Sequence, residues 1–504
     1  MIEISTSVLP VISIAIPLIV AILVLIFYKN PNIRESITIL GSFATFLSVL
    51  YIYTFIKDGI ILEYTLLKFL PGISLKLKVD AFGVFFALMA SFLWFLTTFY
   101  SIGYLRDGGE KNQTRFYTFF AIAMFAAIGA AFSGNLLTLY IFYEIITFST
   151  YPLVAHKQTK EAIQGARRYL AYLLITSILF LLPAIIYIYT VSGDLEFVTG
   201  GFLSNIGGLN KTILGIMLLF FVFGSAKAAV MPFHLWLPSA MVAPTPVSAL
   251  LHAVAVVKTG VFLIIRVFVY VYGVDFLMNI STVNIVSFFA AFTIIVASLV
   301  ALRQDNIKAR LAYSTISQLS YIVLAVSLLS INGVIGSIMH IVAHGFGKIT
   351  LFFWAGAVYV ANHKTNVSEL DGIGKYMPYS TAAFTLAAMS MIGFPPMAGL
   401  ISKFYIASGA IEASKEWVLV VLIISAILNA SYFVPIFIRA YFKKETFHSG
   451  SNHKMCEASP LMVVPLLITA IMTIVIFFWP YIFIDLAKMA VSGGGLYEKR
   501  SRFF

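Results

Sequence analysis

Several ionisable side chains lie inside long apolar stretches of the sequence, where a lipid bilayer would surround them. Four of them, Lys227, His234, His252 and Lys258, fall between residues 224 and 266. A charge at the centre of a membrane helix costs about 2.5–3.5 kcal/mol on insertion scales, and residues that bear this cost usually line a path for ions or protons. Because lysine and histidine both take up and release protons, these residues predict proton transfer within the membrane.

A glutamate lies at a similar depth. Glu144 stands in the run LYIFYEIITF, roughly 14–18 Å from either end of its predicted helix. That distance is too long for its side chain to reach water at the membrane surface. The carboxyl group is therefore protonated, paired with a cation or in contact with internal water; a static hydrogen bond between helices is the structural alternative. Lys258 is about 18–20 Å from both ends of its helix, so a movable carboxylate such as Glu144 would let it load and release protons.

A third group of ionisable residues repeats along a single predicted helix. His340, His344 and Lys348 are spaced four residues apart, which places them on one helix face. Two histidines at this spacing can bind zinc, but no glutamate stands beside His340 and no third acidic ligand is near, so a metal site is not expected. A hydrated proton relay fits the pattern better. Lys403 lies about 12 Å from the end of its helix, where reaching toward the surface is an alternative to a place in the relay.

The composition is typical of a helical membrane protein that crosses the bilayer many times. Of 504 residues, 61% are hydrophobic and 11% are charged, and apolar runs of about 20 residues recur along the chain. The alternating strands of a membrane β-barrel are not seen. We predict an all-α polytopic fold with about 14 transmembrane helices, numbered here helix 1 to helix 14. Their predicted ranges are 8–28, 36–57, 80–105, 114–133, 135–156, 167–191, 211–240, 246–271, 283–302, 308–330, 333–361, 379–411, 417–441 and 460–488.

The distribution of lysine and arginine predicts the orientation. With the N-terminus outside, 18 of the 33 lie in or beside the inner loops, 10 lie outside and 5 lie within spans, and positive residues favour the cytoplasmic side. One miscounted span would reverse the C-terminal half. The net charge of +12 comes from scattered loop residues rather than a basic cluster, so nucleic acid is not an expected partner. Glu3, with no basic residue before helix 1, favours a retained helix over a cleaved signal peptide.

Two predicted helices contain prolines that would interrupt them. Pro232 falls in helix 7, and Pro395 and Pro396 fall five helices later, in helix 12. Broken helices at matching positions favour two inverted five-helix repeats, helices 4–8 and 9–13, with a lysine near each break. Ordinary proline kinks, which are common in membrane helices, are the alternative. The predicted division is 1–105 for helices 1–3, 114–271 for the first repeat, 283–441 for the second repeat, and 460–504 for the last helix and tail.

Four stretches of the sequence resemble one family. They are LYIFYEIITFSTYPLV, KAAVMPFHLWLPSAMVAPTPVSALLHAVAVVKTG, HIVAHGFGKITLFFWAG and GFPPMAGLISKF. They resemble the proton-translocating antiporter-like subunits of respiratory complex I, of Mrp-type sodium/proton antiporters (the D-type subunit) and of membrane-bound hydrogenases (the H-type subunit). The resemblance runs over most of helices 3–13 and implies a fourteen-helix fold, two inverted repeats and a line of charged residues across the middle of the membrane.

The resemblance also implies roles for individual residues. Glu144 matches the family's glutamate of helix 5, and Lys227 matches its lysine partner in helix 7. The other matches are His252 and Lys258 in helix 8, His340, His344 and Lys348 in the central relay, and Lys403 at the end of the relay. Some relatives have glutamate where this chain has Lys403, so that residue does not fix the paralogue. Little sequence follows helix 14, so the long lateral helix of one complex I paralogue is not expected.

The predicted function is ion translocation driven by chemistry on other subunits. We expect a subunit of the plasma membrane that moves protons, with sodium as a second candidate ion, joined to further membrane subunits and to a peripheral redox module. The parent complex is one of four kinds: hydrogen-evolving, sulfur-reducing, quinone-reducing or an Mrp antiporter. The single cysteine, Cys456, cannot form an iron–sulfur cluster or a structural zinc site, so no cofactor is expected in this chain. Iron–sulfur clusters or a nickel–iron site are expected on partner subunits.

Two other classes of function are alternatives. A self-sufficient secondary transporter of another solute would need specificity groups around a pocket, whereas the midplane residues comprise one acid and several bases. A purely structural membrane anchor would not need several deeply buried charges, each of which costs free energy.

Overall fold

A computed structural model describes residues 3–444 and 456–492, and long helices dominate them. Helices 1–6 run Leu9–Ile26, Pro31–Lys57, Ala81–Asp107, Gln113–Ala131, Leu136–Val154 and Lys160–Ser192. Helix 7 begins as Lys211–Gly224 and resumes as Trp236–Ser239, and helices 8–11 run Thr245–Tyr272, Thr282–Arg303, Ile307–Val326 and Ile331–Asn362. Helix 12 consists of Pro378–Ile392 and Ala398–Glu412, helix 13 is Trp417–Phe442, and helix 14 is Pro460–Phe478.

The described part of the chain has 11 helices that are long and apolar enough to cross a membrane. The predicted spans outside this group are helices 7 and 12, which are broken, and helix 10, which carries several serines. Loops that were predicted on one side also contact each other: Asn306 pairs with Asn366 at the inner side, and Leu77 pairs with Ser133 at the outer side. The chain is a multi-pass membrane protein, and the count of fourteen spans stays a prediction.

The last predicted span, 460–488, is wrong in its length. Helix 14 ends at Phe478, and a separate helix covers Tyr481–Ser492. Trp479 precedes Pro480, and the proline ring clashes with a helical conformation of the residue before it. The predicted tail 493–504 and the inner-loop residues 445–455 lie outside the described residues.

A small three-stranded sheet was not predicted. β1 (Glu3–Thr6) pairs in parallel with β2 (Ile60–Leu70), which pairs antiparallel with β3 (Ile73–Val79). Because β1 precedes helix 1 and the other strands lie between helices 2 and 3, the sheet joins two segments that were predicted on the outer side. Lys76 of β3 lies 3.0 Å from carboxylate oxygens of both Glu63 and Glu196, which ties the sheet to the loop after helix 6.

Helix 7 is interrupted more deeply than its single proline predicts. The α-helix stops at Gly224, a 3₁₀ turn covers Ala226–Ala228, and the chain passes through Pro232 before helical structure resumes. Side chains supply partners for the freed backbone: the Met231 amide donates to the Thr293 hydroxyl at 3.1 Å. Proline removes an amide donor and disfavours the preceding helical turn, and a side chain from a neighbouring helix satisfies this freed amide, as burial in a membrane requires.

Helix 12 breaks at the predicted prolines. Its first half ends at Ile392, and Gly393 follows with φ of +94°, a left-handed conformation that glycine adopts without steric cost. Pro395 and Pro396 then separate it from the second half. The carbonyl groups at the end of the first half have no amide donor from a following turn, so they are available to another donor.

Helices 8 and 11 form the centre of the bundle. The most apolar part of each is fully buried within the protein, whereas 28% is buried in helix 2 and 33% in helix 13. These two central helices carry most of the ionisable residues singled out from the sequence, which are therefore surrounded by protein rather than lipid. The proposed inverted relation of helices 4–8 to helices 9–13, and the four-part division of the chain, stay predictions.

Candidate functional site

The two central helices meet through a pair of basic side chains. Lys258 Nζ of helix 8 lies 2.6 Å from His344 Nδ1 of helix 11, and both side chains are fully buried. A contact this short needs one proton between two nitrogen atoms, because two fully protonated cations would repel each other. The pair is therefore built to share one proton, either as an ammonium beside a neutral imidazole or as an amine beside an imidazolium.

His340 continues the line from this pair. Its ring centroid lies 6.2 Å from that of His344, one helical turn away. His340 Nδ1 is 2.9 Å from the Ser402 hydroxyl of helix 12, and its ring stacks on Tyr321 of helix 10 at 5.4 Å with an interplanar angle of 17°. Nε2 of both histidines is buried without a hydrogen-bond partner among the described residues. Each imidazole thus keeps one ring nitrogen free to receive or release a proton.

Lys403 follows Ser402 in the sequence and ends the line at the break in helix 12. Its Nζ donates to the Met391 carbonyl at 2.8 Å and to the Ile392 carbonyl at 2.7 Å, the last carbonyls of the first half-helix. A cation at the C-terminal end of a helix is stabilised by the helix dipole. A Cβ at Gly393 would lie 2.8 Å from Lys403 Cδ, so a side chain at this position would displace the lysine. Lys403 thus points into the break rather than toward the membrane surface.

Lys348 points away from the two histidines that precede it on helix 11. Its Nζ donates to the Ser314 hydroxyl at 2.6 Å and to the Leu311 carbonyl at 3.3 Å, both on helix 10. The sequence predicts a relay that runs from Lys258 through His340, His344 and Lys348 to Lys403. The structure instead places Lys258 beside His344, then His340, and then Ser402 and Lys403, with Lys348 on a side branch.

The predicted contact between Glu144 and Lys227 is not formed. Lys227 lies within the break of helix 7, and its Nζ donates to the Tyr143 carbonyl and lies 3.2 Å from the centre of the Tyr143 ring. Both carboxylate oxygens of Glu144, the next residue, are buried and accept no hydrogen bond from any described residue. Tyr143 thus holds the lysine, and the acid beside it has no partner in this arrangement.

His252 forms no hydrogen bond with the other predicted residues in the described part of the chain. It belongs to a π-helical turn of helix 8, Leu250–Val254, and its ring lies 4.7 Å from that of Phe352. Both ring nitrogens are buried without a partner in the described part of the chain. π turns within α-helices are frequent at functional sites, but His252 makes no direct contact with the line from Lys258 to Lys403.

A buried ion pair near the outer side was missed by the sequence analysis. The side chain of Arg266 in helix 8 is 1% exposed and bonds both carboxylate oxygens of Asp80, one of them at 2.7 Å. Asp80 also caps helix 3 through the Gly83 amide at 2.8 Å. The aspartate directly before helix 3 was a usable signal, since aspartate is a favoured N-cap.

Comparison with known proteins identifies the family. Residues 133–429 match the NADH:quinone oxidoreductase/Mrp antiporter transmembrane family. The chain is 30% identical over 420 residues to NADH-quinone oxidoreductase subunit N of Desulforudis audaxviator. The aligned residues cover 81% of this chain and 82% of that protein. It is also 30% identical over 453 residues to a protein named as antiporter subunit mnhA2 from Staphylococcus aureus, covering 84% of this chain and 55% of that protein. This chain thus spans about half the length of the latter relative.

Two solved complexes contain chains with the same fold. One is the membrane-bound sulfane sulfur reductase, an archaeal respiratory membrane complex, with a TM-score of 0.83, 24% identity and coverage of 96% of this chain and 97% of that chain. The other is the Mrp complex of a Dietzia species, with a TM-score of 0.85, 19% identity and coverage of 97% and 98%. With the matched segment covering more than half of its length, this chain is an antiporter-like member of the NADH:quinone oxidoreductase/Mrp antiporter transmembrane family.

Proposed function

We propose that this protein moves protons across the membrane as one subunit of a larger complex. The observation that carries the proposal is the line of buried proton-exchanging groups from Lys258 through His344 and His340 to Lys403, which connects helices 8, 11 and 12. Lys258 belongs to the first predicted repeat and His344 to the second. The line therefore bridges the two halves of the molecule.

The first half supplies the trigger in this proposal. Glu144 is close enough to Lys227 to act on it electrostatically without contacting it. A movement or charge change that brings the carboxylate to Lys227 would neutralise that charge locally and lower the repulsion on a proton at Lys258. The reverse change would drive the proton from Lys258 Nζ to His344 Nδ1.

The second half carries the proton onward. His344 accepts a proton at Nδ1 and releases one from Nε2. His340 then accepts at Nε2 and releases from Nδ1, which faces Ser402, toward Lys403. At the break of helix 12, backbone carbonyls hold the Lys403 ammonium and provide a polar environment. The break is where we place the exchange with water on one side of the membrane.

The partners belong to the proposal as well. Subunits of this family occur in multi-subunit complexes, so we propose further membrane subunits and, where the parent complex is respiratory, a peripheral module that carries its iron–sulfur clusters or nickel–iron site. We place the complex in the plasma membrane, and sodium is the alternative ion. The relatives favour this reading over a self-sufficient transporter of another solute, since the named relatives are subunits of oxidoreductases and antiporters.

The proposal is tested by purifying the chain with its native companions and reconstituting the complex in vesicles. An entrapped pH-sensitive dye and radioactive sodium then report which ion moves under an imposed membrane potential. Lys258→Met should lower proton movement by at least about a hundredfold, within the range for loss of a proton-transfer group. The control is Lys415→Met, which alters a lysine at an outer loop and should leave the rate unchanged. A normal rate in Lys258→Met would contradict the proposal.

A further inference from the structure

Lys348 heads a chain of hydrogen bonds that the line from Lys258 to Lys403 does not use. Its Nζ donates to Ser314 Oγ at 2.6 Å, Ser314 Oγ lies 2.8 Å from Tyr432 Oη, and the Tyr432 hydroxyl donates to Asn429 Oδ1. All four side chains are fully buried. The Lys348 ammonium can only donate hydrogen bonds, so Ser314 Oγ accepts a hydrogen bond from it and donates one to Tyr432 Oη. The chain of donors therefore runs one way, from helix 11 through helix 10 to helix 13.

Tyr432 is also fixed through its backbone. Arg310 of helix 10 donates from Nη1 to the Tyr432 carbonyl at 2.9 Å and from Nε to the Gln304 carbonyl at 2.8 Å. This contact sets the register of helix 13 against helix 10, so the Tyr432 hydroxyl is held between Ser314 and Asn429. The alignment of the chain is therefore enforced by the packing of three helices rather than by side-chain contacts alone.

Three buried polar groups meet at the far end of this chain: the Asn429 amide, the Ser425 hydroxyl and the Tyr321 hydroxyl. The Ser425 and Asn429 side chains both face the Tyr321 hydroxyl, and Asn429 Nδ2, Ser425 Oγ and Tyr321 Oη have no other hydrogen-bond partner among the described residues. Buried polar groups are almost always satisfied. The partners available to the Tyr321 hydroxyl are therefore Ser425 and Asn429.

Tyr321 joins this end of the chain to the proton line. Its ring stacks on His340, and Lys403 Nζ lies 5.3 Å from the centre of the same ring. A cation near the face of an aromatic ring is attracted by the ring's electrons. The position of Tyr321 thus affects both the last histidine and the final lysine.

We propose that Ser314, Tyr432 and Asn429, with Ser425 and the Tyr321 hydroxyl at the far end, form a positioning arm that couples Lys348 to the site of His340 and Lys403. An amide relays hydrogen bonds but does not readily pass protons, so the arm does not itself conduct. When Lys348 loses its proton, Ser314 can donate back to it, and the donor order along Tyr432 and Asn429 reverses. That reversal reorients the Tyr321 hydroxyl. The inference rests on the proposed function.

The test is a double-mutant cycle in the complex purified with its native companions and reconstituted in vesicles. Tyr432→Phe should lower the rate of proton movement by about threefold to thirtyfold, the span of typical coupling between residues of one network. Adding Tyr432→Phe to Lys348→Met should cause no further loss of rate, because the arm acts only through the protonation state of Lys348. Ser314→Ala should behave like Tyr432→Phe, and Ser314→Thr, which keeps the hydroxyl, should restore the rate.

Tyr272→Phe is the matched control. Tyr272 is also fully buried, but its hydroxyl donates to the Leu214 carbonyl at 2.9 Å, away from the arm, and its loss should leave transport unchanged. The far end of the arm is tested separately by Asn429→Leu, which removes the amide between Tyr432 and Tyr321 and should lower the rate as Tyr432→Phe does. If Tyr432→Phe does not assemble, Ser314→Ala and Asn429→Leu give the answer.

A normal rate in Tyr432→Phe and Ser314→Ala, or losses that multiply when Tyr432→Phe is added to Lys348→Met, would overturn the arm. A normal rate in Asn429→Leu would overturn the link from Tyr432 to Tyr321. Lys258→Met separates this outcome from a failure of the proposed function. If that variant loses proton movement while Tyr432→Phe does not, the line stands and the arm alone is rejected.

Discussion

Two pairs of buried opposite charges in this protein are arranged in contrasting ways. Asp80 and Arg266 form a bidentate ion pair near the outer side, and the Arg266 guanidinium also lies against four aromatic rings, at 4.5 Å from that of Tyr270. Glu144 and Lys227 lie close together near the middle of the membrane without a direct contact. The first pair satisfies its charges with each other, whereas the second leaves its acid unsatisfied.

This difference separates a structural pair from a functional one. A bidentate ion pair is held in one geometry by its two hydrogen bonds, and removing one partner leaves the other as an uncompensated charge. An acid without a fixed partner changes position or protonation more easily, since no hydrogen bond has to be broken first. We therefore expect changes at Asp80 and Arg266 to affect stability, and changes at Glu144 and Lys227 to affect transport.

The largest expected effect on stability is that of Arg266→Met. It should lower the free energy of unfolding by about 3–5 kcal/mol, because Asp80 stays buried without its partner. Thermal unfolding in detergent measures the loss. The double variant Asp80→Asn with Arg266→Met should recover part of it. A single variant as stable as the parent protein would place this pair in the same class as Glu144 and Lys227.

Lys227→Met should show the opposite pattern. Proton movement should fall by at least about a hundredfold, as for the loss of a proton-transfer group. The free energy of unfolding should fall by only about 1–3 kcal/mol, the cost of leaving one buried acceptor, the Tyr143 carbonyl, unsatisfied. Dye-based flux and thermal unfolding on the same preparation give both values. A variant that is severely unstable yet transports normally per folded complex would reverse the comparison.

Lys403 provides an intermediate case, because carbonyl groups rather than an acid hold it. Lys403→Met should block proton movement and leave the carbonyls of Met391 and Ile392 without their donor. Lys403→Glu should keep about a tenth of the rate, because a protonated carboxyl group donates one hydrogen bond and still exchanges a proton. Parallel flux assays compare the two. Normal transport by Lys403→Met would end the line at His340.

The smallest effect is expected at the outer sheet. Burial opposes the charge of Lys76, but hydrogen bonds from its ammonium to Glu196 and Glu63 raise its pKa above the ordinary value. A lysine whose pKa is raised in the folded state stabilises the fold at pH values below its unfolded pKa of about 10.4. This stabilisation is lost as pH rises through the folded pKa. Lys76→Met should therefore cost about 0–1 kcal/mol at neutral pH, with unchanged transport. Unfolding curves at neutral and strongly alkaline pH measure this, and a transport defect would contradict it.

The sequence predicts the helices and the membrane class well because apolar runs of membrane length are a strong signal. The break at Pro395 and Pro396 was also predictable, because proline cannot continue a helix. The strands β1–β3 were not, since short strands carry a weaker pattern than the helices around them.

The candidate site was predictable in its members but not in its connections. Depth alone singled out Lys258 and His344, since burial of a charge is costly. Periodicity on helix 11 placed Lys348 in line with the histidines, but the direction of its side chain depends on Ser314 of another helix. Ser402 and Tyr321 escaped notice because neither is charged, and Arg266 because its partner Asp80 is distant in sequence.

The most direct test of the central claim is the behaviour of Glu144→Gln in the reconstituted complex. Glutamine keeps the shape and hydrogen-bonding capacity of the side chain but cannot carry charge or exchange a proton. Proton movement should be lost, while assembly and thermal stability stay equal to those of the parent protein or improve, because a buried unpaired carboxylate has been removed. A normal proton gradient in Glu144→Gln vesicles would show that Glu144 is structural and that the trigger lies elsewhere.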